Sequence, residues 1–205
     1  MTMARKRSRS ATEQRFQDAV LNLIADSGCA KLGVNAVAEL AGSDKVLIYR
    51  YFGNFEGLLH RVAESRTWLP STEELCSAIS TQPQNALADL ARLISRHVRT
   101  DPATHQLSLW RHAQQNPLTK QYTSEWKKLW RELPQQLGTD LGYQARKKWD
   151  NACALLALTV EAELAGEAID LRCLDAISAQ LEAPSAKQTD DAIQYDEDIL
   201  PTNLL

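Results

Sequence analysis

Apolar residues in the first third of the chain recur at three- and four-residue intervals, and the phase resets at small residues. From Ala11 to Ser27, Phe16, Ala19, Val20, Leu23 and Ile24 follow the i, i+3, i+4, i+7, i+8 spacing of one helical face. Gly28 follows as a C-terminal stop. A second short helix is predicted from Val34 to Ala41, with Val34, Val37, Ala38 and Ala41 inward. Gly33 takes its N-cap position, and Gly42 supplies a sharp turn after it. Asp44 then offers its carboxylate to the orphan amides of a third helix. On that helix Ile48 and Phe52 lie four apart and face the core, which leaves Lys45, Val46, Tyr49 and Arg50 on the outer side. A fourth helix starts at Phe55, capped by Asn54, and carries Leu58, Leu59 and Val62.

Beyond Ala63 the pattern stays helical. Pro70 is expected to end the fourth helix, and Ser71-x-x-Glu74 reads as a capping box opening a segment to about Ser80. From Pro83 to Arg99, Leu87, Leu90, Ala91, Ile94 and Val98 share one face, and Asp101-Pro102 punctuates it. A helix from Ala103 to Gln115 is expected next, then a long one from Asn116-Pro117 to Leu133, where Pro134 interrupts or kinks it. Trp149 to Ala168 and Asp170 to Leu181 complete the series, the last with Leu171, Leu174, Ile177 and Leu181 aligned. With no strand alternation and no internal repeat, the predicted fold class is all-α.

Residues 41–52 carry the densest chemistry. A tight turn joins two short helices, and the second crowds Lys45, Tyr49, Arg50 and Tyr51 into seven positions. A helix-turn-helix presents its recognition helix to duplex DNA in this way. Val46 and Leu47 add apolar groups suited to thymine methyls in the major groove.

From Thr12 to Ala63 the sequence resembles the DNA-binding domain of the tetracycline-repressor-like (TetR) family of bacterial transcription regulators. The resemblance rests on Gly28, on Val34, Val37, Ala38, Ala41 and Gly42, on Lys45 and Ile48-Tyr49-x-Tyr51-Phe52, and on Glu56 with Leu58-Leu59. It implies an N-terminal three-helix DNA-binding domain followed by a helical bundle for ligand binding and dimerisation. The chain departs from the family at Ser43, where an apolar residue is usual, and at Val46 and Leu47, where Gly then Thr or Ser is common. Phe55 stands where the family commonly has a phosphate-contacting Lys, so the salt dependence of DNA binding should be shallower by about one unit per contact. Later in the chain the resemblance extends to helical layout alone, including the turn at Asn116-Pro117-Leu118.

The net charge of −3 argues at first against a nucleic-acid partner, but its distribution reverses that. Residues 1–66 hold ten Lys/Arg against seven Asp/Glu, whereas residues 67–205 hold thirteen against nineteen. A basic module on an acidic body is the electrostatic footprint of a DNA reader. Arg5, Lys6, Arg7 and Arg9 lie in a segment with no apolar face of its own. It is either a solvated tail or an arm that tracks phosphates or enters the minor groove.

The segment Ala152–Gly166 is apolar or small around most of its circumference, so it is expected to be buried on two sides. Ala154, Ala157, Ala162 and Ala165 leave room for a partner helix, and with Leu174, Ile177 and Leu181 they form the expected homodimer interface. The competing reading is a central helix of a monomeric bundle. Tyr122, Trp126 and Trp130 form a stripe at four-residue spacing, which reads either as core or as the wall of an aromatic pocket. The pocket reading, which the resemblance favours, assigns Trp68, Trp110, His112, Tyr122, Trp126, Trp130 and Trp149 to a small apolar or aromatic effector, with His105 or Gln114 as further orienting groups.

Catalysis finds no support in the sequence: there is no nucleophile elbow, no Gly-rich phosphate loop and no HExxH. Cys29, Cys76, Cys153 and Cys173 lack ligand-like spacing, and no metal or cofactor is expected. No apolar run approaches a membrane span, and the basic N-terminus precedes no apolar signal core, which predicts a cytoplasmic protein. The expected organisation is a basic flexible arm (1–10), a helix-turn-helix domain (11–66), a helical effector-binding and dimerisation domain (67–182) and an acidic, disordered tail (183–205). The expected function is a repressor that binds a palindromic double-stranded operator as a homodimer and is released by its effector. The alternative is a helical ligand-binding or protein-interaction dimer whose DNA contacts have decayed, a reading that Phe55 and Ser43 favour.

Overall fold

The computed structural model describes residues 2–78, 86–137 and 143–167, with the side chains of 2–8, 86, 134, 137, 143–146 and 148–150 outside that set. Within it the chain is all-helical: α1 (Thr2–Ser27), a 3-10 turn (Cys29–Lys31), α2 (Val34–Leu40), α3 (Val46–Phe52), α4 (Phe55–Glu64), α5 (Thr72–Ala78), α6 (Ala86–Thr100), α7 (Pro102–Trp110), α8 (Pro117–Leu137) and α9 (Tyr143–Leu164). The expected last helix, with Leu174, Ile177 and Leu181, and the tail 183–205 lie outside the described residues.

The apolar face read from α1 is the face that packs. Phe16, Val20 and Ile24 are fully buried, and Phe16 meets Phe52 edge to face at 6.2 Å, clamping α1 to α3. α1 starts at Thr2, so the basic segment expected as a flexible arm is helical. The cause is local: Ala4, Arg5, Lys6 and Arg7 are strong helix formers, and Arg9 Nε pairs with Glu13 Oε1 at 2.6 Å, one turn on. Gly28 ends α1 at φ 67°, with its amide bonded to Ile24 O at 2.8 Å.

The turns carry the chemistry expected of them. Gly42 (φ 57°) and the Ser43 amide, bonded to Ala38 O at 3.1 Å, close α2. Asp44 Oδ1 accepts from Val46 N at 2.9 Å, and Asn54 Oδ1 accepts from Gly57 N at 2.6 Å. The capping box on α5 is reciprocal: Ser71 N donates to Glu74 Oε2 at 2.8 Å and Glu74 N to Ser71 Oγ at 3.1 Å.

Several helix boundaries differ from expectation, and α9 begins at Tyr143, ahead of the expected Trp149. α4 stops at Glu64, before Pro70, where Ser65 Oγ donates to Val62 O at 2.8 Å and closes the turn. α7 stops at Trp110 because Asn116 Oδ1 already caps the next helix, accepting from Leu118 N and Thr119 N at 2.9 and 3.0 Å. α8 continues through position 134 to Leu137. A proline there removes one backbone bond close to the helix end, and fully buried Leu133 anchors that turn.

One apolar core runs through the described residues. α1 packs on α2, α4 and α7; α4 packs on α8; α6 packs on α7 and α9. Leu87, Leu90, Ile94 and Val98 of α6 are fully buried, each contributing about 1.5–3 kcal/mol of hydrophobic stabilisation before entropy is counted. The helix-turn-helix segment is thereby seated on the body through α1 and α4.

Candidate functional site

α3 is oriented by what it buries. Ile48 is fully buried and Phe52 half-buried, so the opposite face must look outward. Val46 and Tyr49 are 61% and 51% exposed, and Lys45 and Arg50 are exposed beside them. Lys45 Nζ donates to Asn35 Oδ1 on α2 at 3.2 Å, which ties the two helices of the motif together across their outer rim. The result is a continuous surface of two cations, a phenol and an apolar side chain.

Two expected DNA-contacting residues are partly covered. Leu47 is half-buried and packs on the core, because the helical phase brings it round towards α3's inner side. Tyr51 is half-buried, and the Arg9 guanidinium lies 5.0 Å from its ring centroid. Arg9 therefore stands at the edge of the α3 surface. Arg5, Lys6 and Arg7 precede it on α1, with side chains outside the described residues. Phe55 is also half-buried against the core, so at this position the chain has an apolar contact in place of a phosphate contact.

The aromatic residues assigned to an effector divide into three groups. Trp68 is fully buried in the core: its indole Nε1 donates to Ala63 O at 3.1 Å, and Arg66 covers its ring at 4.8 Å. Trp110 faces α1, where a Cβ on Gly28 would lie 2.7 Å from its Nε1. Both are used at the seam between the first four helices and the body. Trp149 is on α9, with its side chain outside the described residues.

Tyr122 and Trp126, with His112, do line a cavity of about 350 Å³ between α7, α8 and α9. The two rings stack at 6.2 Å, and Trp130 meets Trp126 edge to face at 5.5 Å without reaching the cavity wall. Leu109, Leu158 and Leu164 form the apolar side. A larger cleft of about 570 Å³ runs along α5 and α8, but its walls are mainly short polar and charged side chains such as Ser71, Glu73, Gln121, Lys128 and Glu132. The smaller cavity has the aromatic and apolar walls with few polar groups that ligand sites favour.

Sequence reasoning missed the cavity's central residue. Arg111 has a side chain only 5% exposed, is ion-paired to Glu161 of α9 and stacks 4.6 Å from the Trp126 ring centroid. A buried arginine is sustained only by such pairing. The sequence held one signal: Thr104, Leu107 and Arg111 follow i, i+3, i+7 on the buried side of α7 and its extension. Arg111 Nε donates to His112 Nε2 at 3.0 Å, while His105 faces Leu164 O at 3.1 Å through its Nε2. Burial pushes the Tyr122 hydroxyl well above its ordinary pKa, against the opposing pull of Arg111, so it stays a protonated donor. Trp126 Nε1, Trp130 Nε1 and Gln114 Oε1 are buried without a hydrogen-bond partner among the described residues, while the Tyr122 hydroxyl has Ser108 beside it.

On α9 the face towards α6 and α8 is closed. Ala157 is 7% exposed in the chain's own core, so it is unavailable to a partner. Its phase, with Leu156 and Val160, is inward. The outer face carries Ala154 and Ala165, exposed, with Leu155 at 42% and Leu158 at 63% exposure, and Ala162 half-buried. The inner side packs on the chain's own bundle, and this apolar stripe is the other side, the one expected to meet a partner helix. No helix among them is long and apolar enough to cross a membrane, and no cluster of metal-ligating side chains occurs among them.

A family model described as "Bacterial regulatory proteins, tetR family" matches residues 18–62, which span most of α1 through α4. Among solved structures, a TetR-like transcriptional regulator from Rhodococcus sp. RHA1 aligns over 83% of this chain and 92% of its own, at 18% identity and a TM-score of 0.52. NalD, the secondary repressor of the MexAB-OprM multidrug efflux pump in Pseudomonas aeruginosa, aligns over 85% and 93%, also at 18% identity and a TM-score of 0.52. Among curated proteins the sequence has no match. The chain therefore carries a tetR-family N-terminal domain on the all-helical fold of TetR-like transcriptional regulators.

Proposed function

We propose that this chain is a ligand-responsive repressor that binds a palindromic operator as a homodimer in the cytoplasm. The observation that carries the reading is the outward surface of α3: Lys45, Val46, Tyr49 and Arg50 are exposed while Ile48 and Phe52 hold the helix to the core. Lys45 and Arg50 contact phosphates, Tyr49 adds a phosphate or sugar hydrogen bond, and Val46 meets base methyls. Arg9, stacked on Tyr51 at the edge of α3, adds a further cation to that surface.

One α3 reads few base pairs, and twofold symmetry doubles them. The exposed stripe of Ala154, Leu155, Leu158 and Ala165 on α9 supports pairing, with Leu174, Ile177 and Leu181 as the proposed second helix of each half. The effector occupies the cavity of Tyr122, Trp126 and His112. Arg111 follows Trp110 directly, so the cavity wall and the contact with Gly28 of the DNA-binding domain share one helical turn. An effector that binds better to the arrangement with misplaced recognition helices lowers DNA affinity, since successive major grooves lie about 34 Å apart. The fold shared with NalD, a repressor, agrees with the sign chosen here.

The test is a fluorescence-anisotropy titration against DNA flanking the coding region, and against a selected random pool, at two salt concentrations. Saturable binding tighter than the non-specific range of about 10⁻⁴–10⁻⁶ M, weakened by Tyr49→Ala and Arg50→Ala, supports the reading. Binding that stays in that range for both DNA sources, unchanged by either substitution, rejects it in favour of a helical dimer that has lost its DNA contacts.

A further inference from the structure

We infer that the cavity between α7, α8 and α9 takes a carboxylate carried on an aromatic or branched apolar body, the ligand's carboxylate replacing Glu161 on the Arg111 guanidinium. The inference rests on the effector reading of that cavity and gives the effector a chemical class.

Arg111 is the fixed partner of the ion pair. Its guanidinium is stacked on Trp126 at 4.6 Å and lies 6.0 Å from Tyr122, its Nε is bonded to His112, and its side chain is 5% exposed. Glu161 is the movable partner, with a side chain 34% exposed. Swinging Glu161 into water costs little desolvation, whereas an unpaired Arg111 is a buried, uncompensated charge. The exchange is favourable only if another anion arrives, and a carboxylate matches the bidentate fork of arginine.

A second observation points the same way. Trp126 is 2% exposed and lines the cavity, and its Nε1 has no hydrogen-bond partner among the described residues, whereas Tyr122 has Ser108 beside its hydroxyl. An indole N–H only donates, so Trp126 calls for an acceptor. A cationic ligand meets the opposite conditions, because Arg111 already covers the aromatic faces it would stack on. Leu109, Leu158 and Leu164 supply an apolar wall for the ligand body, in a volume of about 350 Å³.

The experiment titrates the full chain, without DNA, with benzoate, phenylacetate, 4-phenylbutyrate and 2-naphthoate and with the matching carboxamides, read by tryptophan fluorescence and calorimetry. At least one acid should bind with a Kd below the order of 1 mM, and its carboxamide about tenfold or more weaker. Arg111→Gln should lose the acid by at least the same factor. Glu161→Gln removes the competing anion and should bind the acid more tightly, which keeps the test decisive if Arg111→Gln fails to fold. Equal binding of acid and amide, indifference to Glu161→Gln, or no acid bound in the millimolar range overturns the inference. An acid that binds as described yet leaves DNA affinity unchanged upholds the ligand class and rejects the effector reading instead.

Discussion

Gly28→Ala tests how the DNA-binding helices are seated on the body. Gly28 lies at φ 67°, ψ −175°, a region essentially reserved for glycine, so any side chain there costs about 1–3 kcal/mol. The added Cβ also lies 2.7 Å from Trp110 Nε1, 3.1 Å from Gln106 Oε1 and 3.2 Å from Trp110 Cε2. The indole must then shift and strain its 3.2 Å bond to Gln106, an overpacking cost of about 1–3 kcal/mol. Together these predict a loss of about 2–6 kcal/mol. Gly42→Ala is the control: φ is 57°, but nothing lies within 4 Å of its Cβ, so only the backbone cost of about 1–2 kcal/mol applies. Urea unfolding followed by circular dichroism, with m-values compared, measures both. In a Trp110→Leu background the Gly28→Ala cost should fall towards its backbone part, a coupling of about 1–3 kcal/mol. Equal costs at the two glycines, or no coupling to Trp110, would refute the close approach of α7 to the end of α1.

Further outcomes follow from the same geometry. A Cβ on Gly57 would stand 2.1 Å from the Phe52 carbonyl oxygen, so Gly57→Ala should cost more than about 3 kcal/mol and abolish DNA binding, as thermal melts and anisotropy would report. Asn54→Ala removes the acceptor for Gly57 N and should cost about 1 kcal/mol, with a lower unfolding midpoint at unchanged m-value. Burial raises the Cys29 thiol from 9.0 to about 11, although a bond with the Asn116 side chain opposes it. Folded Cys29 should therefore resist a disulfide reagent at pH 8. Because the unfolded thiol ionises first, it should withdraw stability as pH climbs from about 9 to about 11, a loss absent in Cys29→Ala. Glu74 is held below its ordinary value by the Ser71 backbone and side-chain bonds, so its contribution to α5 should fade as pH falls below about 4.5 and be missing in Glu74→Gln.

The helix-turn-helix was legible because it is local. Ile48 and Phe52 fixed the phase of α3, Gly42 and Asp44 marked its turn and cap, and none of these depends on distant residues. The Ser71–Glu74 capping box and the apolar face of α6 were readable for the same reason. The partial cover of Tyr51 and Leu47 was not legible, because neighbours outside the motif, Arg9 and the core, decide how far each is covered. Arg111 was invisible for a different reason. A charged side chain reads as exposed, and only the long-range approach of Glu161 and Trp126, fifty and fifteen positions later, makes its burial tenable. Ala157 shows the limit of periodicity on α9: a helix apolar all round does not announce which face its own chain will cover.

The seam between the first four helices and the body bears on how such a regulator can be re-engineered. Trp68 Nε1 donates to Ala63 O of α4, Arg66 bonds Asp101 at the start of α7, and Trp110 lies over Gly28, so contacts cross the seam at three places. A chimera grafted at residue 66, giving this reading head to a foreign sensor, would sever all three at once. Such a graft should recover a working signal only if Trp68, Asp101, Gln106 and Trp110 travel with it, transplanted onto the recipient's surface. The head is a tenon cut for one mortise, and its portability is set by four side chains that lie outside the helix-turn-helix.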